Sequence, residues 1–120
     1  MNNTQKLHNK LQELATKRVE IENIRWNKKR GGTLLSSMED SHLHNVIKKV
    51  LESKVLADAA PWCEEIQMFE EYTYTQWLNF LKIEYLYRKA LEAYKLEKTI
   101  ADWRELEDYI HSDPTDNIPF

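Results

Sequence analysis

Glycine and proline are almost missing from this chain, and their placement leaves little choice of fold. The only two glycines are adjacent, Gly31-Gly32, and neither glycine nor proline occurs between Pro61 and Pro114. These residues cost most inside a helix, about 1 and 3 kcal/mol relative to alanine. Their absence removes the usual breaks from a stretch rich in Leu, Glu, Lys and Ala. An all-α chain follows, and 120 residues suffice for one domain that buries a core without disulfides or metals.

Apolar spacing divides the chain. Helix one is expected from about Thr4, as N-cap, to about Arg30, with Gly31 in the left-handed position after its end. Leu7, Leu11, Leu14 and Ile21 follow a 4-3-7 spacing, but Arg18 and Arg25 take the next seam positions, with Val19 and Ile24 beside them. A helix packed on its own domain, or in a short dimer seam, fits better than a long zipper. Helix two is expected near "SSMEDSHLHN", where Ser37 and Asp40 are spaced like a capping box. Leu43, Val46, Ile47, Val50 and Leu51 then form one apolar stripe. Pro61 suits the first turn of helix three.

A single helix from Trp62 to Ile110 would span roughly 70 Å, too long for a compact domain. The β-branched "YTYTQ" at 72–76 is the best break, since Thr73 and Gln76 match a capping box. A second break near Thr99 would let "TIADWRELEDYI" pack back. The expected fold is a four- to five-helix bundle over residues 1–111, with a long N-terminal helix and a short extended tail at 112–120.

Charge is unevenly spread. Residues 1–32 hold eight Lys/Arg against three glutamates, +5; residues 33–56 balance; residues 57–120 carry −8. A basic front and an acidic back can attract within a chain, between copies or toward different partners, or simply lie on solvated helix faces. No run of about 18 apolar residues exists, so no membrane span is expected. The opening "MNNTQKLHNK" lacks the apolar core of a signal peptide, and a cytoplasmic protein is expected.

Signals for catalysis are weak. Cys63 is the sole cysteine, which excludes an internal disulfide and argues for a small packing residue or an inert thiol. Glu39 and His42 form one E-x-x-H, whereas di-iron bundles need two such motifs and two further glutamates. "CEEIQMFEE" at 63–71 resembles the E-E-x-x-E of helical nucleotide pyrophosphohydrolases, but Met68 stands where the third glutamate is required. No glycine-rich phosphate loop is present. Neither metal, cofactor nor enzymatic activity is expected.

Two surfaces invite partners. Trp77, Phe80, Leu81, Glu84, Tyr87, Arg88, Leu91 and Tyr94 share one helical face, with Glu84 and Arg88 in the favourable order for an ion pair. That face is either a core seam with a satisfied polar pair or a subunit interface. Arg25, Trp26, Lys28, Lys29 and Arg30 have the sign and the aromatic needed for single-stranded nucleic acid.

Two resemblances add to this. "WNKKRGG" followed by "MEDSHLHNVI" is similar to a W…G…M-x-x-x-H-L-x-N pattern of small, mostly uncharacterised phage proteins. Trp26, Gly31, Met38, His42, Leu43 and Asn45 carry it, and His42 and Asn45 look placed to tie the preceding loop to helix two. "DPTDNIPF" resembles the acidic C-terminal tip of bacterial single-stranded DNA-binding protein (SSB), which docks into genome-maintenance proteins such as exonuclease I and RecQ-type helicases. The resemblance implies that Phe120 fills an apolar pocket while its carboxylate meets an Arg or Lys. Pro119 and Ile118 would pack beside it, and Asp113 and Asp116 would face a basic rim. Asn117 departs from the tip, which has another Asp there.

Three functions follow as expectations. The first is a phage-type adaptor or inhibitor that docks on a host replication, repair or defence protein through the tail. The second is a nucleic-acid binder acting through the basic segment. The third is an oligomeric anti-defence protein that sequesters a ligand or partner. A tail folded onto its own helices is the alternative to a docking tail.

Overall fold

The computed structural model describes residues 3–112, with side chains at all of these except Glu65 and 106–112. Helix α1 (Asn3–Glu20) leads into a hairpin of β1 (Arg25–Trp26) and β2 (Thr33–Leu34). Helix α2 (Asp40–Ala59) leads into a second hairpin, β3 (Met68–Phe69) and β4 (Tyr72–Thr73), which feeds directly into α3 (Tyr74–Ser112). Both hairpins are antiparallel, pairing Arg25 with Leu34 and Phe69 with Tyr72.

The fold is mostly helical, with three α-helices among the described residues rather than the four or five expected. Helix α3 runs 39 residues without a break, roughly 58 Å, and carries both other helices on its flanks. Arg18 of α1 meets Glu84, and His8 lies 5.7 Å from the Tyr94 ring, so α1 runs antiparallel to α3. Helix α2 is antiparallel too, since Asp40 meets Arg88 and His44 packs edge-on against Tyr85. The molecule is elongated, 77 Å by 30 Å by 23 Å.

The expected break at Thr99 fails for a local reason. The Thr99 hydroxyl donates to the Lys95 carbonyl one turn back, at 2.9 Å. It is satisfied inside the helix and does not cap a new one. A helix does start at 72–76, though a hairpin and not a helix precedes it: Gln76 N–H donates to Thr73 Oγ1 (3.2 Å) and Thr73 N–H donates to Gln76 Oε1 (2.9 Å). This reciprocal pair satisfies two donors that a helix start leaves open.

Helix one stops at Glu20, ten residues earlier than expected. Its last bonds tighten, Ile21 N–H to the Arg18 carbonyl and Glu22 N–H to that of Val19, and the chain turns so that Ile21 and Trp26 reach the core. Asn27 holds φ 59°, and Gly31 and Gly32 hold 97° and 66°. Gly31 thus ends the short 3-10 turn Lys28–Arg30 rather than a long helix. Gly31→Ala is expected to cost about 1–2 kcal/mol from its backbone angle alone, because an added Cβ would meet nothing within 4 Å. A urea titration superimposable on the parent's would rule out that turn geometry.

Two further boundaries move. Ser37 lies in the 3-10 turn Leu35–Ser37, and Glu39, without a side-chain bond, precedes α2, so the Ser37–Asp40 capping box does not form. Pro61 sits in a turn after α2, and a 3-10 turn (Glu64–Ile66) and the second hairpin separate it from α3. Gln67 ends α2 instead: its Nε2 donates to the Ala57 and Ala60 carbonyls at 2.9 and 3.0 Å, satisfying acceptors that the last turn leaves open.

The core sits where the helices and hairpins converge. Trp77, Leu81, Leu43, Val46, Val50, Met38 and Leu35 are all buried there. Trp26 of β1 stacks on Phe69 of β3, centroids 4.5 Å apart, and meets Trp77 edge-on at 5.0 Å. One aromatic cluster therefore clamps both hairpins to the start of α3.

Candidate functional site

The most organised polar feature is a knot around Glu84, whose side chain has no solvent exposure. Burying a carboxylate is costly unless it is paired and hydrogen-bonded. Arg18 Nε and Nη2 donate to its two oxygens at 2.6 and 3.0 Å, and Arg88 Nε donates at 3.0 Å. Arg88 reaches further: Nη1 donates to Asp40 Oδ1 (2.8 Å) and Nη2 to the Leu35 carbonyl (3.2 Å). One guanidinium thus joins α3 to the start of α2 and to the loop before it.

Arg18 also lies over the Tyr87 ring, 4.4 Å from its centroid, a cation–π placement. Its hydrogen bond to Glu84 holds the guanidinium pKa above the ordinary arginine value, against the opposing effect of burial. The arginine that interrupts the apolar seam of α1 is therefore the partner of the one buried carboxylate among the described residues. Both Glu84 oxygens are engaged, so the knot offers no free base. A cleft of about 290 Å³ lined by Arg18, Ile21, Leu35, Glu84 and Tyr87 opens beside it. Its ionic groups already serve the fold.

The sequence-predicted residues fall in separate places. Trp77 and Glu84 are buried and Arg88 is mostly buried, on the face expected for them. That face packs on α1, α2 and the hairpins of the same chain.

The basic segment keeps its cations, Arg25, Lys28, Lys29 and Arg30, exposed but offers no open aromatic face. Trp26 is buried between Phe69 and Trp77 and shows no ring face to a base. Lys28 Nζ pairs with Glu71 at 2.9 Å, and the Lys29 N–H donates to Glu70 Oε1 at 3.3 Å. The hydrogen bond that Lys28 donates to Glu71 raises the Lys28 pKa. The acidic tip of the second hairpin, Glu70-Glu71, thus partly neutralises the basic turn of the first, realising the attraction between front and back within one chain.

The Met38, His42, Asn45 group also divides. Met38 is buried, whereas His42 and Asn45 are exposed and make no side-chain hydrogen bond among the described residues. The loop before α2 is tied down by Arg88 and by Leu35 and Met38 instead. No group of three or more metal-ligating side chains occurs among the described residues. Cys63 is half-buried and free.

Asp113, Asp116, Ile118, Pro119 and Phe120 lie outside the described residues, while Ser112 ends α3. Residues 101–105 of that helix are all exposed, and Trp103 is 69 % exposed. Comparison with family models, with curated proteins and with solved structures gives no match. Among the described residues no helix is long and apolar enough to cross a membrane.

Proposed function

We propose that the chain is a non-catalytic adaptor or inhibitor, of the phage type that residues 26–47 resemble, which docks through Ile118-Pro119-Phe120 on a host protein that receives the SSB tip. The observation that carries this reading is the sequence "DPTDNIPF" itself. It combines a stiff apolar anchor with acids at Asp113 and Asp116, the chemistry of terminal-peptide capture by a basic-rimmed pocket. Two features of the body agree. Among the described residues its buried ionic groups, Glu84 with Arg18 and Arg88, hold α1, α2 and α3 together. The tail also follows Ser112, the last residue of α3, roughly 52 Å along that helix from Trp77.

Purified exonuclease I and a RecQ-type helicase, titrated with the full chain and with a variant lacking residues 118–120, test the proposal. The full chain is expected to bind at least one of them, and a synthetic SSB-tip peptide to displace it. The deletion is expected to reduce affinity by tenfold or more, about 1.4 kcal/mol. Binding that is absent, or unchanged by the deletion, overturns the reading. A glycine appended after Phe120 separates a need for the terminal carboxylate from a need for the side chains alone.

A further inference from the structure

An apolar groove lies between α2 and α3. Ile47 and Leu51 of α2 and Leu78, Leu81 and Tyr85 of α3 line it, and it encloses about 470 Å³, within the usual size range of ligand pockets. His44 and Lys82 complete the lining, and Lys89 stands beyond Tyr85 with Nζ 5.6 Å from the ring, in an exposed pair with Glu92 at 3.6 Å that a second carboxylate can join. Leu51 is 49 % exposed, and Val55, one turn further along α2, continues the apolar strip at 68 %. The lining comes from α2 and α3 alone. An apolar trough with lysines at its rim calls for an apolar segment flanked by acids.

This chain carries such a segment. Ile118, Pro119 and Phe120 supply the apolar part, and Asp113 and Asp116 the acids. Geometry decides whose tail it is. Ser112 and Tyr85 stand 27 residues apart on one unbroken helix, roughly 40 Å along its axis. The eight residues beyond Ser112 span at most roughly 26–29 Å when fully extended. The tail therefore falls short of the groove on its own molecule.

We propose that the groove receives residues 113–120 of a second copy of this chain. Phe120 and Ile118 enter between Leu51, Leu78 and Tyr85, while Asp113 and Asp116 face Lys82 and Lys89. Two copies that exchange tails form a closed pair, and a one-way arrangement grows into a chain of copies. The inference rests on reading Ile118-Pro119-Phe120 as an anchor, but on no host protein. Where both apply, self-association and host docking compete for the same three residues.

A complementation experiment with full chains tests it. Leu51→Glu damages the groove at a surface position and leaves the tail intact, and Phe120→Ala does the reverse. By sedimentation equilibrium the parent is expected to self-associate, and each variant alone to do so at least about tenfold more weakly. A 1:1 mixture is expected to restore one-way dimers, because an intact tail then meets an intact groove. Lys82→Glu, at an exposed position, is expected to weaken association in the same way, and circular dichroism with cooperative unfolding verifies that each variant folds. A parent that stays monomeric, a Phe120→Ala variant that associates like the parent, or a mixture that stays monomeric overturns the proposal. Leu51→Glu is expected to keep its binding to exonuclease I or the helicase, so failure here is distinguishable from failure of the host-docking reading.

Discussion

Trp77→Ala is expected to lower the free energy of unfolding by about 3–5 kcal/mol, as for large aromatic residues emptied from a core. Trp77 is 1 % exposed and packs against Trp26, Tyr72 and Phe80 at centroid distances between 5.0 and 6.0 Å. Its indole N–H also donates to the Phe69 carbonyl at 2.9 Å. Alanine would leave a cavity where both hairpins meet α3 and remove the indole donor from the Phe69 carbonyl, which keeps its ladder partner Tyr72. Trp77→Phe separates the two effects. It keeps much of the ring contact but loses the donor, and is expected to cost about 0.5–1.5 kcal/mol, the range for one hydrogen bond lost from a carbonyl that keeps another partner. Urea denaturation followed by circular dichroism reads both. A loss below about 1 kcal/mol for the alanine variant would contradict the convergence of the aromatic cluster on this residue.

Glu84→Gln is expected to be nearly as damaging, about 2–4 kcal/mol. Breaking a buried ion pair typically costs about 3–5 kcal/mol, because the surviving charge is stranded. The lower figure here reflects the partial exposure of the arginine partners, 31 % for Arg18 and 17 % for Arg88, which water can partly resolvate. The knot predicts coupling as well. Arg18→Ala in the Glu84→Gln background is expected to cost less than Arg18→Ala in the parent by 1 kcal/mol or more, as for residues sharing one network. Independent costs would show that Arg18 acts through its stacking on Tyr87 rather than through the carboxylate. High salt is expected to soften the loss very little, since the carboxylate is shielded from solvent. It should weaken the exposed Lys28–Glu71 pair far more.

The helical character of the chain was legible from composition, and the reasons the details were not are local. Arg18 looked like a flaw in the α1 seam; its long-range partner, 66 residues away, gives no periodic signal. Glu84 and Arg88 were recognisable as a pair from their spacing, but Asp40 and the Leu35 carbonyl joined them only through folding. The hairpins were missed because strands of two residues are too short to show alternation. The second also turns through Glu70 at φ 57°, a position where glycine or asparagine is the usual signal. Ile21 sat at a seam position and so prolonged helix one on paper, although it is buried after the helix has ended. The Thr73–Gln76 box is legible because a capping box is a local motif whose partners lie three residues apart. The unbroken run of α3 conflicts only with an assumption of compactness, and the molecule is elongated.

That length makes α3 a ruler with a phase. Ser112 stands 35 residues beyond Trp77 on the same helix, roughly 52 Å from the aromatic cluster. Each residue added to or removed from its exposed stretch shifts the root of the tail by about 1.5 Å and swings it by about 100°. A one-residue change barely alters the reach but points the tail to another side of the molecule. Adding seven residues lengthens the arm by about 10 Å and nearly restores its direction. Spacing and orientation of anything held by the tail are therefore set together, by a residue count.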